Sequence, residues 1–103
     1  MDVKTFKVIG GEEIVCNVMV ETSNFVIATD VVVLQVVRDP KTGEQMQAFG
    51  NWPALAKLGQ EIKIPVSALL TFPVEAHEEL ARQYISNVTG LELPPVTPKI
   101  LLS

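Results

Sequence analysis

The chain is poor in the residues that most chemistry needs. It has one cysteine, Cys16, and one histidine, His77. A lone thiol excludes an internal disulfide and a cysteine metal cluster. His77 has no metal-ligating partner at helical spacing. Aromatic residues make up only 6% of the chain, so its apolar content is mostly Val, Ile, Leu and Ala. No apolar run is long enough to span a bilayer, and no basic-then-apolar leader is visible at the start. No phosphate-binding glycine loop and no nucleophile–base set is present. Glu12 and Glu13 are adjacent on a strand pattern, so their carboxylates point to opposite faces and do not form a catalytic pair. The expectation is a soluble cytoplasmic protein, not an enzyme, with no cofactor and no metal.

What is present is a single domain's worth of core. The 103 residues are 48% hydrophobic, which rules out a disordered chain. Twelve acidic against eight basic residues give a net charge of -4. That balance excludes a protein that grips nucleic acid through phosphates alone. It leaves room for a local basic or stacking surface. Val-rich segments dominate before Pro40 and favour β structure.

The pattern divides cleanly. Residues 6–9 form a short first strand, and Gly10 and Gly11 allow a tight turn. Ile14, Cys16, Val18 and Val20 then alternate with mixed residues, which predicts a strand with that set facing a core. Its other face suits a wall covered by something else. Residues 22–24 form a polar turn, and a strand restarts at Phe25. Thr29 and Asp30 interrupt it, and residues 31–37 form another β-branched run. Pro40 and Gly43 mark a hairpin turn, with the returning strand over residues 45–49. A short apolar loop or single helical turn follows at residues 54–59. Residues 61–64 alternate again, Pro65 marks a bend or strand end, and residues 68–72 form a last strand. From Pro73 the period becomes helical: Val74, His77, Ala81 and Val88 recur on one face. The helix is expected over about residues 74–89, with Gly90 closing it. His77 is expected to be half-buried on its apolar side. Residues 91–103 carry three prolines and read as an extended Pro-rich tail.

The glycine turn, the alternating strand, the polar turn and the Phe25-Val26-Ile27 restart together resemble the Sm-like (LSm/Hfq-type) fold family. Gly11 matches its turn glycine, Ile14 and Val18 its inward hydrophobes, and residues 61–71 its last two strands around a sharp corner. Small Sm-like proteins encoded by tailed phages share the Gly-Glu-Glu opening and a similar final helix. The resemblance implies a mainly β fold: a small, SH3-like, strongly bent five-stranded antiparallel barrel. Here it carries an extra hairpin within residues 32–60 and a C-terminal α-helix, residues 1–90 forming the one domain. It also implies a closed homo-oligomeric ring of about five to seven subunits that binds single-stranded RNA or DNA. A phage-encoded protein would act in the cytoplasm of its bacterial host.

In that family the turn before the third strand supplies a stacking aromatic and a base-reading amide. Ser23, Asn24 and Phe25 are the matching residues; the alternative is an ordinary turn and a core phenylalanine. The corner between the last strands carries a Lys-His pair in the bacterial branch, where this chain has Val66 and Ser67. Losing both cations removes charge-assisted contacts to phosphate, although Ser67 keeps a hydroxyl. Trp52 is either a stacking platform in a loop or packed against the C-terminal helix. Arg38 and Lys41 flank the hairpin tip, where they either meet a phosphate or are solvated. The rival to nucleic-acid binding is a protein-interaction or assembly module of phage origin, which the acidic charge and apolar tail favour.

Overall fold

A computed structural model of the chain describes residues 1–53 and 59–90. The expected loop over residues 54–58 and the tail at 91–103 lie outside the described residues. Among the described residues the fold is mainly β: a strongly curled antiparallel sheet, a half-barrel, with one α-helix after it. The strands are β1 (Val3–Lys7), β2 (Glu13–Glu21), β3 (Phe25–Arg38), β4 (Gln45–Asn51), β5 (Ile62–Pro65) and β6 (Val74–Glu75), and the helix is α1 (Glu78–Thr89). Their order is β4-β3-β2-β1-β6, with β5 also paired to β3. Among the described residues no helix is long and apolar enough to cross a membrane.

The curl gives the sheet an inside and an outside, and both are buried over part of their area. Phe6, Ile14, Cys16, Val18, Val26 and Ile64 fill the inside. Among these, Ile14, Cys16 and Val18 are positions that the period-two pattern assigns to the core. On the outside, Val15 and Val32 are equally buried because Leu80 and Tyr84 of α1 lie over them. Phe49 meets Tyr84 edge-on, with ring centroids 6.3 Å apart. The second wall expected from the mixed face of β2 is thus the helix of the same chain.

The structure corrects several expectations. Val20 is not a core residue but 42% exposed. Val18 pairs with Ala28 but Val20 with Ile27, so Met19 is an extra residue and a bulge turns Val20 to the outside. Thr29 and Asp30 do not interrupt β3, which runs unbroken for 14 residues. A second bulge absorbs them: Asn17 pairs with Thr29 but Val15 with Val32, giving β3 one extra residue there. Asp30 takes φ 51°, a left-handed conformation that aspartate tolerates better than most residues. The alternation changes phase at this point. Val26 and Ala28 face inward before it, and Val31 and Val33 after it.

Residues 68–72 are not a strand. Val66–Ala68 form a 3-10 turn, and Leu69 makes one bridge to Val8. The amides of Leu70 and Thr71 both donate to the Lys7 carbonyl, at 2.7 and 3.2 Å. Sharing one acceptor throws the segment out of register until β6 rejoins β1. That pairing also shortens the helix, since Val74 and Glu75 belong to the β1 ladder. The helix starts at Glu78, and His77 is its exposed N-cap, not a residue on its apolar side. The Nδ1 of His77 accepts from the Glu79 amide at 3.2 Å, satisfying one orphan donor. Gly90, at φ 71°, ends the helix as the sequence predicts. Trp52 packs on the inner core and not on α1; Phe49 is the aromatic that meets the helix.

Candidate functional site

The β2–β3 turn is built by Thr22. Its hydroxyl oxygen accepts from the amides of Asn24 at 3.1 Å and Phe25 at 3.0 Å. Its own amide donates to the Phe25 carbonyl at 2.9 Å. This is the local alternative that Ser and Thr offer to a regular ladder. It leaves Ser23 and Asn24 exposed at the tip. Among the described residues the Asn24 side-chain amide has no hydrogen-bond partner.

The turn does not stand alone. The Asn24 carbonyl accepts from the Val66 amide at 2.9 Å, and Phe25 pairs with Pro65. The two segments singled out by the family resemblance, 40 residues apart in sequence, therefore share one corner of the fold. Ser67 lies exposed in the 3-10 turn of that corner.

Phe25 is not a core side chain. Its neighbour Val26 points inward, so Phe25 and Ile27 lie on the outer face, both half-buried. Lys63 opposes Ile27 across the ladder, one diagonal step from Phe25. Long side chains reach across such diagonals, and the Lys63 Nζ sits 4.3 Å from the centroid of the Phe25 ring. Sequence reading missed Lys63, because only the register of β5 on β3 brings it to the aromatic ring. Met19 and Val20, more than a third exposed, lie on the same outer face near the turn. The helix covers the other end of this face, where Val15, Val32 and Leu34 lie.

The remaining candidates lie elsewhere. Arg38 is the last residue of β3 and Phe25 the first. At about 3.3 Å per residue, roughly 40 Å of strand contour runs between them. Lys41 sits in the hairpin turn beyond, where its amide donates to the Asp39 carboxylate at 2.8 Å. Trp52 belongs to the inner core surface. Structure thus groups Ser23, Asn24, Phe25 and Ser67 with Lys63, and separates Arg38, Lys41 and Trp52 from them.

Charge near the turn is balanced. Lys4 reaches Glu21 at 3.3 Å and Asp2 at 3.9 Å. The hydrogen bond to Glu21 holds the Lys4 ammonium above its ordinary pKa. Burial pushes the Cys16 thiol up to about 12, with the Asp2 charge a smaller cause. A thiol so raised is not nucleophilic at neutral pH. Among the described residues no three His, Cys, Asp or Glu side chains group as a metal site requires. No protein-family model matches the chain, and no curated protein matches it.

Proposed function

We propose that the chain is a ring-forming, Sm-like single-stranded nucleic-acid-binding protein and not an enzyme. The observation that carries the reading is the shared corner: the Asn24 carbonyl bonded to the Val66 amide at 2.9 Å, with Phe25 and Ser67 beside it. An exposed carboxamide, a half-exposed ring and a hydroxyl are the groups that read unstacked bases. Stacking on an aromatic ring is sequence-tolerant and worth ~1–3 kcal/mol per base. With a net charge of -4 per subunit, binding depends on these contacts more than on a general positive field.

The ring is favoured by the two ends of the sheet. Among the described residues β5 pairs only with β3, and β6 only with β1. Each leaves one edge free, and free edges invite pairing with another chain. Leu70, Phe72 and Val74, all more than half exposed, mark the β6 end. Head-to-tail pairing of β6 on β5 of the next subunit closes a cyclic ring of about five to seven copies. Light scattering that finds a monomer at all working concentrations would remove the ring.

Fluorescence anisotropy with oligo-U, oligo-A and mixed single-stranded DNA at low salt tests the binding. Micromolar affinity is expected, with Phe25→Ala weakening it by roughly 5- to 150-fold, the equivalent of one stack. Absence of binding at tens of micromolar protein refutes the reading. The exposed Leu70 and Phe72 support a second reading, a protein-assembly module of phage origin that binds no nucleic acid.

A further inference from the structure

We infer that Lys63 is the phosphate-binding residue of this corner, parked on the Phe25 ring in the free protein and released when a base stacks there. The inference rests on the nucleic-acid reading above and adds to it a cation that the corner residues themselves lack.

One cation near the turn, Lys4, is engaged. Lys4 is held by Glu21 and Asp2, and Arg38 and Lys41 lie at the far end of β3. Lys63 is exposed, and among the described residues no carboxylate lies within ion-pair distance of it. Its partner is the Phe25 ring, 4.3 Å from Nζ. One group thus covers the surface on which a base stacks and carries the charge that a nucleotide needs.

The magnitudes favour exchange. An exposed cation–π contact shifts an equilibrium by a factor of roughly two to five. A stacked base is worth a factor of roughly 5 to 150. A charge-assisted bond from ammonium to phosphate is stronger than a neutral hydrogen bond. Displacing Lys63 from the ring is therefore offset by the stack alone, and the released ammonium gains a phosphate. Its flexible stem, rooted two rungs from Phe25 on the same face, reaches the phosphate adjoining the stacked base. Lysine suits this task better than arginine, because its charge is compact and its stem moves freely.

The experiment is a salt series of anisotropy titrations with oligo-U and oligo-A, on wild type, Lys63→Gln, Lys63→Arg and Phe25→Leu. Circular dichroism melts first establish that each variant folds like wild type. Lys63→Gln should weaken binding about 3- to 10-fold at low salt. It should also flatten the slope of log K against log salt by about 0.7, the value for one phosphate on a single strand. Lys63→Arg should keep the slope, and Phe25→Leu should lose affinity at unchanged slope. If wild type binds and Lys63→Gln keeps its slope or binds more tightly, Lys63 is only a cover on the ring: the inference falls and the nucleic-acid reading stands. If wild type binds neither oligonucleotide, both fall together.

Discussion

Tyr84→Phe removes one oxygen atom and tests the central joint of the fold. The Tyr84 hydroxyl, on a fully buried side chain, donates to the Asp30 carbonyl at 2.6 Å and lies 3.4 Å from the Thr29 carbonyl. Both carbonyls belong to the bulge where β3 leaves its regular register. Phenylalanine keeps the edge-on contact with Phe49 and takes away only the hydroxyl, together with its hydrogen bond to the Asn17 backbone. A buried carbonyl left without a partner costs about 1–3 kcal/mol. At roughly 4–8 °C per kcal/mol for a domain of this size, a loss of about 2 kcal/mol lowers Tm by roughly 8–16 °C. Urea unfolding followed by circular dichroism should show a lower midpoint at unchanged slope. The same hydroxyl makes a prediction in pH. Burial first, and the nearby Asp30 charge second, hold the Tyr84 phenol above its ordinary pKa. The unfolded chain ionises near pH ~10 while the fold keeps the proton. Its contribution is therefore complete below pH ~10 and declines above it, by about 1.4 kcal/mol per pH unit. Tyr84 is the only tyrosine, so ultraviolet absorbance reads it directly. A mutational loss under about 0.5 kcal/mol, or phenolate forming near pH ~10 in the native protein, would refute this account of the joint.

Other changes test neighbouring parts of the argument. The thiol of Cys16, raised to about 12, makes stability fall from the unfolded thiol pKa upward; Cys16→Ala should remove that decline between pH ~8.5 and ~10 in alkaline urea titrations. The Asp30 carboxylate accepts from the Gly59 amide at 2.8 Å, and both Asp30→Gly and Asp30→Ala lose that bond. Only alanine also meets left-handed strain, so Asp30→Gly should be about 1 kcal/mol the more stable in chemical denaturation; equal stabilities would contradict the φ of 51°. Gly90→Ala, at φ 71°, should cost about 1 kcal/mol and fray the last turn in hydrogen exchange. Phe72→Lys on the exposed edge should shift light scattering toward monomer while leaving the melting temperature of the monomer unchanged.

Much of this fold is legible in the sequence, because period two and period 3.6 are separated at Pro73. The inward set Ile14, Cys16 and Val18, the hairpin turn around Pro40 and Gly43, and the helix ending at Gly90 all follow from local pattern. The bulges do not. Asp30 in a left-handed conformation inside a strand presents the same one-dimensional signal as a turn between two strands. Val74 fits a helical face and an edge strand equally, and only its pairing with Thr5 decides. The candidate site was half legible. The family resemblance marks Asn24 and Phe25, whereas Lys63 reaches Phe25 across a ladder register that no local pattern contains.

The bulge at Asp30 works as a punctuation mark in β3. Before it, even-numbered residues are written for the inside; after it, odd-numbered ones are. Val31, Val32, Val33 and Leu34 are apolar on both sides of the sheet, so hydrophobicity alone permits either frame. The frame changes at Asp30 in its left-handed conformation, where the Tyr84 hydroxyl holds the bulge carbonyls. Deleting a single residue there would exchange the faces of the whole distal hairpin, turning Val36 inward and Val37 outward. The C-terminal helix therefore does more than cover a wall: through one phenol it braces the bulge at which the hairpin changes the side it shows to its surroundings.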